Sequence, residues 1–225
     1  MFEYTMAGFA KSEDVRRRLI EAAGACFAAY GYEAATVREI TVRAGVNVAA
    51  INYHFGDKLQ LYRAVLATIT HRALALLEEN CKEGSAEERL RSFIFSILQA
   101  ESGREYEWAH QLMAREIVVM HEEQSALVVE AVRPMHNRAE QIVRELMGGA
   151  GVPMDAVRAI ASLVVSMAFN RLPQLKLEQK LYPGLSITEE HLEILSEQIC
   201  HFALAGIRSI REEGAVMHLV VPAAG

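Results

Sequence analysis

Residues 36–58, TVREITVRAGVNVAAINYHFGDK, constrain this chain more tightly than any other stretch, because they encode two short helices joined by a glycine turn. Thr36 is an N-cap residue and Glu39 follows three positions later, the spacing of a capping box. That predicts a helix over Val37–Ala44 whose inward face carries Ile40 and Ala44. Gly45 ends it, since glycine adopts the left-handed conformation that closes a helix. Asn47 then caps a second helix, with Val48, Ala49 and Ala50 in its first turn and Ile51 and Phe55 four apart on one face. The opposite face offers Asn52, Tyr53 and His54. Asp57 stands where an N-cap is needed for a third helix starting at Lys58.

A helix that reads DNA enters a major groove about 12 Å wide with its N-terminal residues against the base edges, so small side chains are needed there. Val48, Ala49 and Ala50 meet that requirement. Asn52 can offer its amide to an adenine edge, and the methyls of Val48 and Ala49 can pack on thymine. Tyr53 and His54 are better placed for phosphate. Lys58 adds a cation beside helix N-terminal amides, which also favour phosphate. Arg38 and Arg43 are further candidates on the first of the two helices. The competing expectation is structural: capped helices and glycine turns occur in many all-α proteins, where Tyr53, His54 and Phe55 merely close a small core.

A net charge of −6 over 225 residues argues against DNA only if the charge is spread evenly. It is not. Between Lys11 and Arg72 there are nine basic against six acidic residues, while the rest of the chain is acidic. A basic head on an acidic body is the expected arrangement. With 52% hydrophobic residues the chain can bury a substantial core. No run of about 18 apolar residues is present to span a bilayer. The start, MFEYTMAGFA, carries Glu3 and lacks a basic leader segment, so a cytoplasmic protein without membrane association is expected. The cysteines, Cys26, Cys81 and Cys200, are odd in number and widely spaced, which disfavours a disulfide framework or a cysteine zinc site.

The remaining chain reads as helices throughout. Ser12 can cap a first helix ending at Gly31, with Val15, Leu19, Ala23, Phe27 and Tyr30 at helical spacing. Arg16, Arg17 and Arg18 can touch phosphate from that helix, although a charge run is more often a solvated face. A segment from Lys58 to about Cys81, with Tyr62, Val65, Leu66, Ile69, Ala73 and Leu77 in period, reads as a long connecting helix. Further helices are expected at about Ala86–Ser102, Glu105–His121 and Ser125–Met147, the last kinked at Pro134. Two more follow at about Asp155–Arg171 and Thr188–Glu213, separated by a loop from Pro173 to Ile187. No β pattern of any length is present. The fold expected is all-α: a three-helix helix-turn-helix head over 11–57, a helical body over 58–213 that opens with the connecting helix 58–81, and a tail over 214–225.

The pattern T-x-R-E-I-x-x-x-A-G-V-x-x-x-x-x-x-Y-H-F-x-x-K-x-x-L resembles the DNA-binding domain of the TetR family of bacterial repressors, over Lys11 to about Leu66. Position by position, the resemblance implies that Thr36, Arg38, Tyr53, His54 and Lys58 contact phosphates, and that Val48, Ala49 and Asn52 face bases. Further on, WAHQLMAREI and VRPMHNRAEQIVRELMGG resemble the C-terminal domain of the CerR-type subgroup, over about Trp108–Arg171. In this family the last two long helices form a four-helix dimer interface, implying a homodimer through 155–171 and 188–213 on a palindromic operator. The stripes concerned are Val157, Ile160, Ala161, Val164 and Ala168, and Leu192, Leu195, Ile199, Phe202, Gly206 and Ile210. The alternative is that both stripes complete the monomer core.

The resemblance also implies a small-molecule effector in the body, whose occupancy reaches the DNA through the connecting helix. A site between helices is typically apolar with a few placed polar groups. Trp108, Met113, Met120, Met167 and Phe169 are candidate walls, and His110, Arg115, Glu116, Asn137 and Asn170 candidate polar groups. Each competes with a purely structural role. His110, His121, His136 and His201 are scattered and form no H-x-x-x-H pair, so neither a metal nor a cofactor is expected. No glycine-rich phosphate loop, G-x-S-x-G or metalloprotease motif supports an enzyme. The expectation is a ligand-responsive transcriptional repressor; an all-α enzyme or a non-DNA ligand-binding protein reusing the fold are the alternatives.

Overall fold

The computed structural model describes residues 2–80, 84–102, 107–119, 122–184 and 189–213, and among them there are helices and connecting turns but no strand. The order is α1 (Phe2–Ala34), α2 (Val37–Ala44), α3 (Ala49–His54), α4 (Lys58–Asn80), α5 (Ala86–Ser102), α6 (Glu107–Val119), α7 (Glu122–Leu146), α8 (Met154–Phe169), α9 (Arg171–Leu181) and α10 (Glu189–Glu213). The expected boundaries of α2, α4, α5 and α8 are met within two residues.

Four expectations are corrected. Ser12 does not begin the first helix, which is already helical from Phe2. Gly31 does interrupt that helix, at φ 80° and ψ 169°, where a side chain would be strained, but the helical run resumes to Ala34. The break expected around Glu122–Gln124 does not fall on those residues: α6 is described to Val119, and α7 runs from Glu122 through Pro134 to Leu146. The loop expected from Pro173 is largely a helix. Proline is tolerated in a first helical turn, where its missing N–H is not required, and Leu172 and Leu175 are buried one turn apart. Pro183 and Gly184 follow in a turn as expected, and the remainder of that segment lies outside the described residues.

The chain forms two compact units. One comprises the described residues of Met1–His71 and Arg104–Ala131, the other those of Arg72–Gly103 and Val132–Gly225. In the first, Leu19, Ala23 and Phe27 of α1 are buried, as are Ile40 and Ala44 of α2, Ile51 of α3 and Leu61, Tyr62, Val65 and Leu66 of α4. Tyr30, expected on the inward stripe, is exposed. α6 packs along α1, with Leu112 and Met113 buried. Two glycines permit this approach: a Cβ on Gly24 would stand 2.4 Å from the Trp108 ring, and one on Gly31 would stand 2.9 Å from the Arg115 guanidinium.

In the second unit α5 packs on α8 and α10, with Leu90, Phe93, Ile94 and Leu98 fully buried. The whole α8 stripe, Val157, Ile160, Ala161, Val164 and Ala168, enters this core. On α10, Leu192, Leu195 and Ile199 do the same, but Phe202 is 71% exposed and Gly206 is exposed with open space around it. Ile210 packs against the same core, so the whole first stripe and four of the six residues of the second complete the core of a single chain.

Candidate nucleic-acid interface

The helix-turn-helix is built by local hydrogen bonds whose donors and acceptors are legible in its residues. Thr36, with extended φ and ψ, caps α2: its Oγ1 accepts from the Glu39 amide at 3.2 Å, and Glu39 Oε2 accepts from the Thr36 amide at 2.9 Å and its hydroxyl at 2.7 Å. These donors hold the Glu39 carboxyl below the usual carboxylate range. Gly45 closes α2 at φ 64°, while the Val46 amide reaches back to the Thr41 carbonyl at 3.0 Å.

Arg18 fastens this turn to α1. Its Nε donates to the Ala44 carbonyl at 3.0 Å and its guanidinium reaches the Gly45 carbonyl at 2.9 Å, so the last orphan carbonyls of α2 have a charged donor. Nothing in the sequence announces this arrangement, since the partners lie 26 and 27 positions apart. Asn47 acts as expected but from one position earlier than a strict cap: its Oδ1 accepts from the Ala49 amide at 2.9 Å, and α3 follows immediately. Asp57 Oδ1 accepts from the Gln60 amide at 2.8 Å and so opens α4.

α3 buries Ile51 and turns its other side outward. Val48, Ala49, Asn52 and Tyr53 are exposed, with Tyr53 at 81%. The exposed Tyr53 ring meets the half-buried His54 ring edge-on at 4.9 Å, and the half-buried Phe55 ring lies 6.2 Å from His54. Thr36 and Arg38 stand at the start of α2, both exposed. Lys58 is held in a particular way. Its Nζ stands 4.4 Å from the centroid of the Tyr32 ring and donates to the Glu33 carbonyl at 3.3 Å. No carboxylate neutralises it among the described residues, so an ammonium anchored by an aromatic face stays available to an anion.

The structural alternative for the Tyr53–Phe55 segment is only partly met, because Ile51 and not Tyr53 closes the core. A chain that exposes two methyl-bearing residues, an amide and a tyrosine on one capped helix presents the features a groove requires.

Residues 19–65 match the family described as bacterial regulatory proteins, tetR family. Residues 86–207, more than half of the chain, match the C-terminal domain of the HTH-type transcriptional dual regulator CecR. The chain belongs to the TetR family of transcriptional regulators. The subgroup its C-terminal half resembles carries the name CecR, in place of CerR. Among its relatives, CecR of Shigella flexneri is 52% identical over 54 residues, 24% of each chain. The transcriptional repressor AcnR of Corynebacterium glutamicum is 39% identical over 70 residues, 31% of this chain and 37% of AcnR. These matches thus span well under half of the relatives' own lengths. The fold is shared more widely. The fatty acid degradation regulator FadR from Bacillus halodurans superposes with a TM-score of 0.67 over 86% of this chain and 96% of its own, at 16% identity.

The residues considered for an effector do not converge on one place. Trp108, His110, Met113, Arg115 and Glu116 are on α6, in the same compact unit as the helix-turn-helix. Trp108 lies on Gly24, Arg115 donates to the Tyr30 carbonyl at 3.4 Å, and Met113 is buried. Glu116 is also buried, facing the Tyr62 hydroxyl. Asn137, Met167, Phe169 and Asn170 belong to the other unit. Met167 packs on the core there, and the Asn170 amide is used on the Ser166 carbonyl at 3.0 Å. Asn137 lines an open groove of about 410 Å³ with Leu74, Leu77, Glu78, Pro134, Arg138 and Gln141, of which only Leu77, Pro134 and Asn137 stand out in the sequence pattern. Met120 and His121 lie outside the described residues, as do Cys81 and the tail from residue 214. Among the described residues, no group of three or more His, Cys, Asp or Glu side chains is gathered as a metal site would be. No described helix is long and apolar enough to cross a membrane.

Proposed function

We propose that this regulator is a cytoplasmic homodimeric repressor, not an enzyme, which binds a palindromic operator and is released by a small molecule. The observation that carries the reading is the outward side of α3, where Val48, Ala49 and Asn52 stand exposed beside Tyr53 at the start of a helix short enough to enter a groove. Val48, Ala49 and Asn52 meet base edges; Thr36, Arg38, Tyr53, His54 and Lys58 take phosphates. DNA binding is assigned to 11–57, and dimerisation and effector response to 58–213.

The dimer face is reassigned within α8 and α10. Because the Val157–Ala168 stripe is consumed inside one chain, the interface between copies falls on the other sides of these helices, where Leu163, Ile194 and Phe202 are exposed. Gly206, with no atom near its missing side chain, lets two backbones approach. A two-fold dimer places its heads on two half-sites of one duplex.

An effector releases DNA only by as much as its affinity differs between the DNA-bound and released arrangements of the dimer. The groove that includes Asn137 is the first place to look for it. The match of residues 86–207 to a domain described as that of a dual regulator favours a second reading, in which the same protein also activates.

Fluorescence anisotropy with DNA from upstream of the protein's own gene, against scrambled duplex at two salt concentrations, tests the reading. Selective, salt-sensitive binding supports it, and a small-molecule screen on that complex tests release. Binding to neither duplex would refute it.

A further inference from the structure

Three consecutive arginines, Arg16, Arg17 and Arg18, leave α1 beside the helix-turn-helix, and the structure gives each a different fate. Arg17 is neutralised by Asp14 at 2.8 Å and Glu21 at 2.9 Å. Arg18 is spent on the carbonyls of Ala44 and Gly45, with Asp14 a further 3.6 Å neighbour. Arg16 alone of the three has no ion pair among the described residues. Its guanidinium carbon stands 5.5 Å from the centroid of the Phe55 ring. Phe55 is the half-buried residue that ends α3, and its ring lies 6.2 Å from that of His54.

From this we infer that Arg16 is a further phosphate-binding residue of the head, and that Phe55 positions it. The inference rests on the DNA-binding reading above. An arginine on an aromatic face keeps its in-plane donors directed outward, and that planar fork matches a phosphodiester. Seated on Phe55, whose ring lies 6.2 Å from His54, the guanidinium stands next to the row of His54 and Tyr53. On the other side of Phe55 in sequence, Lys58 is held over Tyr32 in the same manner. Two unneutralised cations, each seated on a ring, thus stand beside the recognition helix, and the sequence alone does not tell Arg16 from its two neighbours.

The test is the salt dependence of binding to a mixed-sequence duplex of fixed length, with the full-length protein. Removing one phosphate-neutralising cation lowers the slope of log K against log salt by about 0.9. Arg16→Met is expected to lower it by about that much with no change in thermal unfolding, whereas Arg17→Met leaves the slope as in the wild type. Phe55→Leu is expected to weaken binding when Arg16 is present and to add nothing in the Arg16→Met background. The proposal is overturned if Arg16→Met keeps the wild-type slope, or if Arg17→Met lowers it as much as Arg16→Met. Lys58→Met separates this failure from failure of the reading it rests on. A slope that falls in Lys58→Met but not in Arg16→Met overturns the Arg16 assignment alone, and absence of salt-dependent binding in the wild type overturns both.

Discussion

The Trp108 indole lies against Gly24, so close that a Cβ on that glycine would stand 2.4 to 2.5 Å from three ring carbons. A rigid ring cannot yield as a flexible side chain does. Gly24→Ala is therefore expected to cost about 1–3 kcal/mol through overpacking, even though alanine is the better helix former by about 1 kcal/mol. Trp108 is the single tryptophan, so its emission reports the displacement directly. In a Trp108→Leu background the same substitution should become neutral or stabilising. Equal cost in both backgrounds would show that the ring is not what requires glycine.

Arg18 joins α1 to the turn between α2 and α3, and it acts there through hydrogen-bond geometry, not charge alone. Arg18→Met should lower stability by about 1–2 kcal/mol, less than a fully buried charged bond, because the guanidinium is partly exposed. Arg18→Lys should rescue little, since an ammonium cannot reproduce the fork that spans two carbonyls. Urea unfolding of the three proteins checks this, and full rescue by lysine would contradict it.

The capping box makes a signed prediction about pH. Glu39 is held below its ordinary value by the Thr36 hydroxyl and amide, and Glu88 likewise by the Ser85 amide and hydroxyl at the start of α5. A group whose folded value is depressed contributes stability that is complete above its unfolded value, about 4.3 for glutamate, and is lost as pH falls through the folded value. Glu39→Gln and Glu88→Gln should lower Tm at neutral pH and narrow the gap to the wild type below about pH 4. Thr36→Ala should cost about 1 kcal/mol at neutral pH, and part of that cost should fade in acid, because the lost hydroxyl is also what holds Glu39 down. A gap that widens in acid would reverse the sign and refute the assignment.

Tyr62 is packed between Phe27, at 5.1 Å and edge-on, and Tyr32, at 4.9 Å. Its buried hydroxyl has no hydrogen bond of acceptable geometry, and burial together with the facing Glu116 carboxylate pushes the phenol far up. Tyr62→Phe removes an unsatisfied polar atom while keeping the ring. It should leave stability unchanged or raise it by about 1 kcal/mol, seen as a higher urea midpoint at constant slope. A loss of more than about 1 kcal/mol would mean the hydroxyl is satisfied in solution.

What the sequence makes legible is local. Thr36, Gly45, Asn47 and Asp57 each act on backbone groups within four or five positions, so their spacing announces the helix ends and the outward side of α3. What it hides is tertiary. Arg18 meets a carbonyl 26 residues away, and Phe55 and Tyr32 meet Arg16 and Lys58 across the head, with no pattern linking either pair. α9 is hidden for another reason: proline reads as a breaker, although in a first turn it removes no hydrogen bond, and the buried Leu172 and Leu175 decide the local structure. The apolar stripe of α8 is visible, but periodicity cannot say whether a face meets its own chain or a second copy.

That ambiguity leads to a prediction about assembly. Phe202 is 71% exposed and Leu163 53% exposed, whereas Ile160 is 4% exposed in the core. If the outer sides of α8 and α10 join two copies, Phe202→Glu should weaken the dimer by about 2 kcal/mol or more, as loss of an aromatic anchor does at interface centres. Sedimentation velocity would then show a concentration-dependent monomer with unchanged helicity, and operator affinity would fall because one head holds one half-site. Ile160→Glu should instead unfold the body, since a charge there has neither water nor partner. A dimer undisturbed by both Phe202→Glu and Leu163→Glu would move the interface to another surface. A monomeric variant that kept full operator affinity would break the link between dimerisation and DNA recognition.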